Sequence, residues 1–231
     1  MKLSIIVPVF NMAADGKLNY CLDSLVNQTI TDYEILAVDD CSTDDSLAIL
    51  RAYEKKYPEK FIVIASPENR KQGGAKNLGL TKAQGDFIGF IDSDDWVTPD
   101  YYEKLIARAE ETGADIVGCD YHLTHEHSMK IGQVVHNNKA SQAGVLNKDK
   151  YRSLILDGGS LVVKIYRRHI IYDYPNCFYQ GRHGVCGSCT GCGVGKFRRT
   201  ADVPAELEKV LRTVSARSSF RRNVRGGTGS C

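Results

Sequence analysis

The chain is expected to be an α/β protein built on an open, mostly parallel sheet flanked by helices. Strand-length and helix-length patterns alternate five times with short connections, the mark of a wound parallel sheet. The strand runs are mostly apolar, and the first, Leu3 to Phe10, is continuously so, as in a strand buried on both faces. Several of them end in polar or acidic residues, and in such sheets ligands bind beyond the carboxyl ends of the strands.

The elements follow in order. "LSIIVPVF" (Leu3 to Phe10) is a β-branched apolar run of strand length. "KLNYCLDSLVNQT" places Leu18, Cys21, Leu22 and Leu25 at helical spacing. "YEILAVDD" reads as a second strand, and "STDDSLAILRAYEKKY" as a helix with Ser, Thr and Asp as N-cap candidates. "FIVIAS" is a third strand, "GGAKNLGLTKA" begins a helix, and "DFIGFIDSDD" is a fourth strand running into acid. "PDYYEKLIARAEETG" has Pro near its start and Gly past its end, the usual helix asymmetry. "ADIVGCDYHL" is the fifth strand.

At 231 residues the chain can bury one good core, or one core and a smaller appendage. A hydrophobic content of 42% is ordinary for a soluble domain, and a net charge of +2 gives no reason to invoke nucleic acid. No apolar run approaches the ~18 residues of a membrane span, and the N-terminus reads as a strand and not a signal peptide. Scattered Cys21, Cys41 and Cys119 suit reduced thiols. The average charge hides a split. Residues 1–180 hold 20 basic and 25 acidic residues, whereas 181–231 hold 10 and 3, with Arg replacing Lys and with no Tyr or Ile.

Three stretches carry chemistry. In "FIDSDDWVTPD", Asp92, Asp94 and Asp95 crowd at a strand end. Crowded carboxylates repel unless a cation compensates, and Mg²⁺ typically takes one or two carboxylates plus substrate phosphates. The alternative is a solvated acidic turn. In "AVDDCSTDDS", Asp40 could accept from a base N–H or a ribose hydroxyl, or it could cap the next helix together with Ser42 or Thr43. In "ENRKQGGAKNLGL", Gly73 and Gly74 open a helix whose N-terminus can receive negative charge, with Arg70, Lys71 and Lys76 at hand. The spacing fits neither a Walker loop nor a Rossmann fingerprint.

Taken in order, "SIIVPVFN", "VDDCSTDDS", "ENRKQGGAKNLGL", "GDFIGFIDSDDWVTPD" and "GSLVVKIYRR" resemble the GT-A fold glycosyltransferases of family 2, over residues 1–180. The resemblance implies a nucleotide-sugar part at about 1–120 and the start of an acceptor part at about 121–180. It implies that Pro8 and Phe10 line a base pocket, with the Phe10 ring against uracil. Asp40 would accept from the base, and Lys71 would lie near ribose and phosphates. Asp92, Asp94 and Asp95 would hold Mn²⁺ or Mg²⁺ on the diphosphate, with Asp94 also at the donor. The implied chemistry is an inverting displacement from a nucleotide sugar, a UDP-sugar by expectation, to a hydroxyl of a glycan or lipid-linked glycan. The implied place is the cytoplasm, with peripheral contact at the inner face of the plasma membrane. Competing readings are a non-catalytic nucleotide-sugar-binding protein and a nucleotidyltransferase. The latter calls for a glycine-rich basic loop after the first strand, where only Gly16 and Lys17 stand.

Other features carry less. His122, His125 and His127 lack zinc-ligand spacing and read as strand or loop residues. Trp96 is as well suited to packing beneath the site as to touching substrate. "DVPAELEKVLRTVSAR" can be read as an amphipathic helix capped by Asp202, with Val203, Leu207, Val210, Leu211 and Val214 as its stripe. With Arg199, Arg212 and Arg217 nearby, it could touch an anionic membrane.

Family members usually follow "CFY" with an acidic pair whose Asp is the base. Here Gln180, Gly181 and Arg182 follow it, and nothing in the motif assigns the task to Asp173, the nearest upstream carboxylate. No catalytic base is therefore assigned, and the expectation is nucleotide binding with weak or no transfer. "CGSCTGC" (Cys186, Cys189, Cys192) resembles part of an iron–sulfur run but lacks its continuation. The composition change favours a shifted reading frame from near Gln180 over a genuine divergent tail or a metal cluster. Residues 181–231 are thus expected to form an irregular or poorly ordered tail.

Overall fold

In the computed structural model, the structure describes residues 1–125, 133–136, 144–145, 161–173, 212–215 and 220–224. Along the chain the strands are β1 (Leu3–Val9), β2 (Tyr33–Asp39), β3 (Phe61–Ala65), β4 (Phe87–Phe90), β5 (Asp95–Val97) and β6 (Ile116–Gly118). They continue with β7 (Tyr121–His125), β8 (Val134–Val135), β9 (Gly144–Val145), β10 (Lys164–Arg167), β11 (Arg212–Ser215) and β12 (Phe220–Val224). The helices are α1 (Lys17–Val26), α2 (Ser46–Lys56), α3 (Lys71–Leu80), α4 (Tyr101–Thr112) and α5 (Arg168–Asp173).

The main sheet runs β3-β2-β1-β4-β10-β6-β11-β9. β1 lies parallel between β2 and β4, and β2 is parallel to β3. Every residue of β1, β2 and β4 is buried, as their unbroken apolar runs require. Their shared direction brings Val9, Asp39 and Phe90 to one end of the sheet.

Helices cover both faces. A Cβ on Gly79 of α3 would lie 2.6 Å from Ile6 Cγ2, so only glycine lets α3 sit this close to β1. A Cβ on Gly89 would lie 2.8 Å from the Tyr102 ring of α4. Gly89 is in register with Ile5, the neighbour of Ile6. Successive strand residues point to opposite faces, so α3 and α4 flank opposite sides. α4 ends, as its sequence suggests, at Gly113 in the left-handed conformation (φ 64°).

The structure departs from the sequence reading in four places. The fourth strand stops at Phe90, and Asp95 begins a separate β5. The fifth strand divides at Cys119 and Asp120 into β6 and β7, which belong to different sheets. There Cys119 N–H donates to Val163 O and leaves the β6 register. β10, from the "LVVKIYRR" run, enters antiparallel between β4 and β6. Within the expected C-terminal helix, Arg212–Ser215 is strand, parallel to β6, so no helix runs through Arg212 to Val214. Both described stretches of the tail are strands, β11 in the main sheet and β12 between β5 and β7 in the smaller sheet β5-β12-β7-β8. Among the described residues, no helix is long and apolar enough to cross a membrane.

Candidate functional site

The site gathers at the carboxyl ends of β1, β2 and β4. Pro8 and Val9 end β1 in the buried sheet, and the next side chain, Phe10, is 46% exposed. Asn11 takes the left-handed conformation (φ 51°), which Asn tolerates better than most residues. The β2–α2 loop staples this turn. Asn11 N–H donates to Ser42 Oγ (3.1 Å), and Thr43 N–H donates to Asn11 Oδ1 (2.8 Å). Met12 N–H donates to Ser46 Oγ (2.7 Å) and Ala13 N–H to Asp44 Oδ2 (2.9 Å). Burial pushes the Asp44 carboxyl up, but hydrogen bonds from Ser46 and Ala13 outweigh it and hold the group below the usual carboxylate range. Ser42 and Thr43 therefore serve this loop; neither caps α2, whose N-cap position is Asp45.

Asp40 is buried beside Phe10. Its N–H donates to Val9 O, and its Oδ1 accepts from Arg70 N–H at 2.7 Å. The next residue, Lys71, opens α3 with φ 63°, a strained conformation for lysine, while its N–H donates to Asn69 Oδ1 (3.2 Å). α3 thus begins at Lys71, two residues before the glycines.

The three carboxylates of the acidic turn part company. Asp92 has a 13% exposed side chain, and its Oδ1 accepts from Gln72 Nε2 (2.7 Å) and Lys76 Nζ (3.2 Å). Asp94 lines the cavity. Asp95 is 0% exposed and begins β5, away from the cavity lining. Burial first, then the Asp95, Asp94 and Asp92 carboxylates, push the thiol of Cys21 on α1 well up, which places the acidic turn over that helix. Trp96 is buried and packs beside Tyr20 of α1, its ring centroid 6.5 Å away; it does not line the cavity.

The resulting cavity has a volume of about 420 Å³. It is lined by Pro8, Phe10, Asp40, Lys71, Asp92 and Asp94 from the sequence reading, and by Met12, Asn69 and Gln72, which that reading passed over. Asn69 and Gln72 flank Lys71 within the quoted motif, so only their role was hidden. Among the described residues, no group of three or more His, Cys, Asp or Glu side chains forms a metal cradle. Two carboxylates on one cavity wall do suit a Mg²⁺- or Mn²⁺-like ion whose remaining ligands come from substrate phosphates. His122 and His125 lie in β7. His127, Asn176 to Cys192 and the stretch at Gln180 fall outside the described residues.

A family model for glycosyl transferase family 2 matches residues 4–200. EpsH of Bacillus subtilis, a glycosyltransferase by name, is 36% identical over 173 residues, 73% of this chain and 48% of its own length. A poly(ribitol-phosphate) beta-glucosyltransferase of Bacillus spizizenii is 40% identical over 118 residues, 50% of this chain and 18% of its own. The chain thus spans about half the length of EpsH and less of the second relative. Among solved structures, S. aureus TarS in complex with UDP-GlcNAc shares the fold with a TM-score of 0.65 at 23% identity, over 100% of this chain and 62% of that one. A mannosyltransferase of Pyrobaculum calidifontis, in complex with GDP-Man and Mn²⁺, has a TM-score of 0.62 at 15% identity, over 98% of this chain and 58% of its own.

Proposed function

The chain belongs to glycosyl transferase family 2, and from that premise we propose that its cavity binds a nucleoside-diphosphate sugar, a UDP-sugar, for transfer to a glycan hydroxyl. The observation that carries the reading is the meeting of Phe10, Asp40, Lys71 and the Asp92–Asp94 pair around one 420 Å³ space at the strand ends. An exposed aromatic ring offers a stacking face for the base. Asp40, with Oδ1 held by Arg70 N–H, accepts from a base N–H. Lys71 places its ammonium toward ribose and phosphates. Asp94, with Asp92 beside it, would hold Mn²⁺ or Mg²⁺, and such an ion neutralises charge on a departing diphosphate.

The acceptor oxygen attacks the anomeric carbon from the face opposite the diphosphate. The bond to the diphosphate breaks, its electron pair leaves with the nucleotide, and a base takes the acceptor proton. With Gln180, Gly181 and Arg182 in place of the acidic pair, transfer by this chain is expected to be weak. The same residues favour the second reading, a nucleotide-sugar-binding protein without turnover. The acceptor is a surface glycan or its lipid-linked precursor, met at the cytoplasmic face of a membrane. The segment from Gln180 is proposed to arise from a shifted frame, and the coding DNA decides that point: an alternative frame after Tyr179 must encode Glu-Asp.

A panel of nucleotide sugars with Mn²⁺ tests the activity by release of nucleoside diphosphate. Release from one UDP-sugar, however slow, supports transfer. Binding without release supports the second reading, and neither binding nor release contradicts both.

A further inference from the structure

β3 is an edge of the main sheet: among the described residues it pairs with β2 alone. An edge strand offers a row of backbone donors and acceptors to any other strand. The sequence of β3, "FIVIA", holds no charge, proline or glycine, and Ile62 is 40% exposed. Neutral, β-branched segments of this kind are the ones that pair with copies of themselves. The register with β2 is unbroken from Phe61 to Ala65, so no bulge turns the strand aside. None of the usual guards of an edge stands within the strand.

The guard comes from α2. Lys60 O accepts from Ile35 N–H, and Ser66 N–H donates to Asp39 O, so the even-numbered residues of this stretch face β2. Phe61, Val63 and Ala65 therefore turn their amides outward. Phe61 N–H donates to Tyr57 O (2.9 Å) in the turn after α2. Val63 N–H, at the middle of the strand, donates to Glu54 Oε1 (2.8 Å), and Glu54 Oε2 accepts from Arg51 Nη1 (2.7 Å). Burial pushes the Glu54 carboxyl up, but the bonds from Val63 N–H and Arg51 outweigh it and hold the group below the usual carboxylate range. A charged acceptor thus takes the place of a neighbouring strand.

We propose that Glu54 is a gate on this edge, and that the partner it excludes is a second copy of this chain. A copy related by a two-fold axis at Val63 would pair antiparallel, with Val63 opposite Val63 and Phe61 opposite Ala65 of the second copy. The two Val63 residues would exchange both backbone bonds, and each Ala65 N–H would donate to Phe61 O across the axis. No like charges meet along the strand, so the edge is complementary to itself. The central donor of that pairing is the one that Glu54 occupies. While the carboxylate holds Val63 N–H, the carbonyl of an approaching Val63 finds no donor and meets a negative charge.

The test is sedimentation velocity over a concentration series, with amide exchange read residue by residue, on wild type, Glu54→Ala, Glu54→Gln and Glu54→Ala/Val63→Pro. Glu54 is partly exposed on α2, and alanine is the best helix former, so the helix is kept. Each copy gives up one charge-assisted bond in order to pair, about tenfold apiece, so Glu54→Ala should self-associate about 100-fold more tightly than wild type. Its Val63 amide should then exchange more slowly as the concentration rises. Glu54→Gln keeps an acceptor for Val63 N–H and should sediment as wild type. Val63→Pro removes the outward donor, leaves the bonds to β2 in place, and should return the double variant to the wild-type state. Glu54→Ala that associates no more than wild type, association that survives Val63→Pro, or Glu54→Gln that behaves as Glu54→Ala would each overturn the proposal. So would wild type whose Val63 amide is protected only at high concentration, a result that needs no variant to fold. None of these measurements involves a nucleotide or a metal, so they stand or fall apart from the nucleotide-sugar reading.

Discussion

Replacing Lys71 with glycine should raise stability and lower nucleotide affinity together. Lys71 sits at φ 63°, in the region that L residues avoid. Its cost there is about 1–2 kcal/mol from contact of Cβ with the backbone. Glycine removes that contact but loses about 0.5–1 kcal/mol more chain entropy on folding. The net gain is roughly 0.5–1 kcal/mol, or about 1–4 °C in Tm for a chain of this size. The backbone N–H that donates to Asn69 Oδ1 survives the change, so the helix start is kept. The ammonium on the cavity wall is lost, and a charge-assisted hydrogen bond to a phosphate contributes about 1.5–3 kcal/mol, so UDP should bind about 10–100-fold more weakly. Differential scanning calorimetry and UDP titration with Mn²⁺ read the two effects. A lower Tm would mean that Lys71 is not strained. Unchanged UDP affinity would mean that its side chain does not serve the nucleotide.

Three further outcomes follow from the same geometry. Phe10→Ala should weaken UDP binding by about 1–3 kcal/mol, the usual contribution of one base on an aromatic ring, with little change in Tm, because the ring is 46% exposed; equal affinity would place the base elsewhere. Gly85→Ala should destabilise by about 3 kcal/mol in urea unfolding, because its Cβ would lie 2.4 Å from Ser4 N, on the backbone of buried β1 that cannot move aside. Burial pushes the Lys164 ammonium down to about 8 from 10.5, partly resisted by Cys119. Between those pH values the unfolded chain holds the proton that the folded chain has released, so stability rises with pH from 8 toward 10.5, and below 8 the cost is present in full. Thermal unfolding from pH 7 to 10.5 should show that rise in wild type and lose it in Lys164→Met; parallel curves would refute it.

Much of this was legible in the residues. Unbroken β-branched runs mark strands, and β1, β2 and β4 are buried on both faces, whereas β3 at the sheet edge leaves Ile62 exposed. Strand ends in Asn11, Asp39–Asp40 and Asp92–Asp95 pointed to one rim because parallel strands share a direction. What periodicity cannot carry is strand order, so the antiparallel entry of β10 between β4 and β6 stayed hidden. Nor does spacing tell apart adjacent carboxylates. Asp94 and Asp95 look equivalent in sequence, yet a strand begins between them and buries the second. Ser42 and Thr43 resembled helix caps because the same hydroxyls that can cap a helix can also staple a distant loop. The strain at Lys71 has no signal in a single sequence, since the residue type gives no hint of a positive φ.

The central claim is that this cavity takes a nucleoside diphosphate with a divalent ion on Asp94. Calorimetric titration of UDP, with and without Mn²⁺, into wild type and Asp94→Ala tests it most directly. The account predicts heat in wild type that depends on Mn²⁺ and is lost in the variant. No heat in wild type with Mn²⁺, or the same Mn²⁺-dependent affinity in Asp94→Ala, would contradict it.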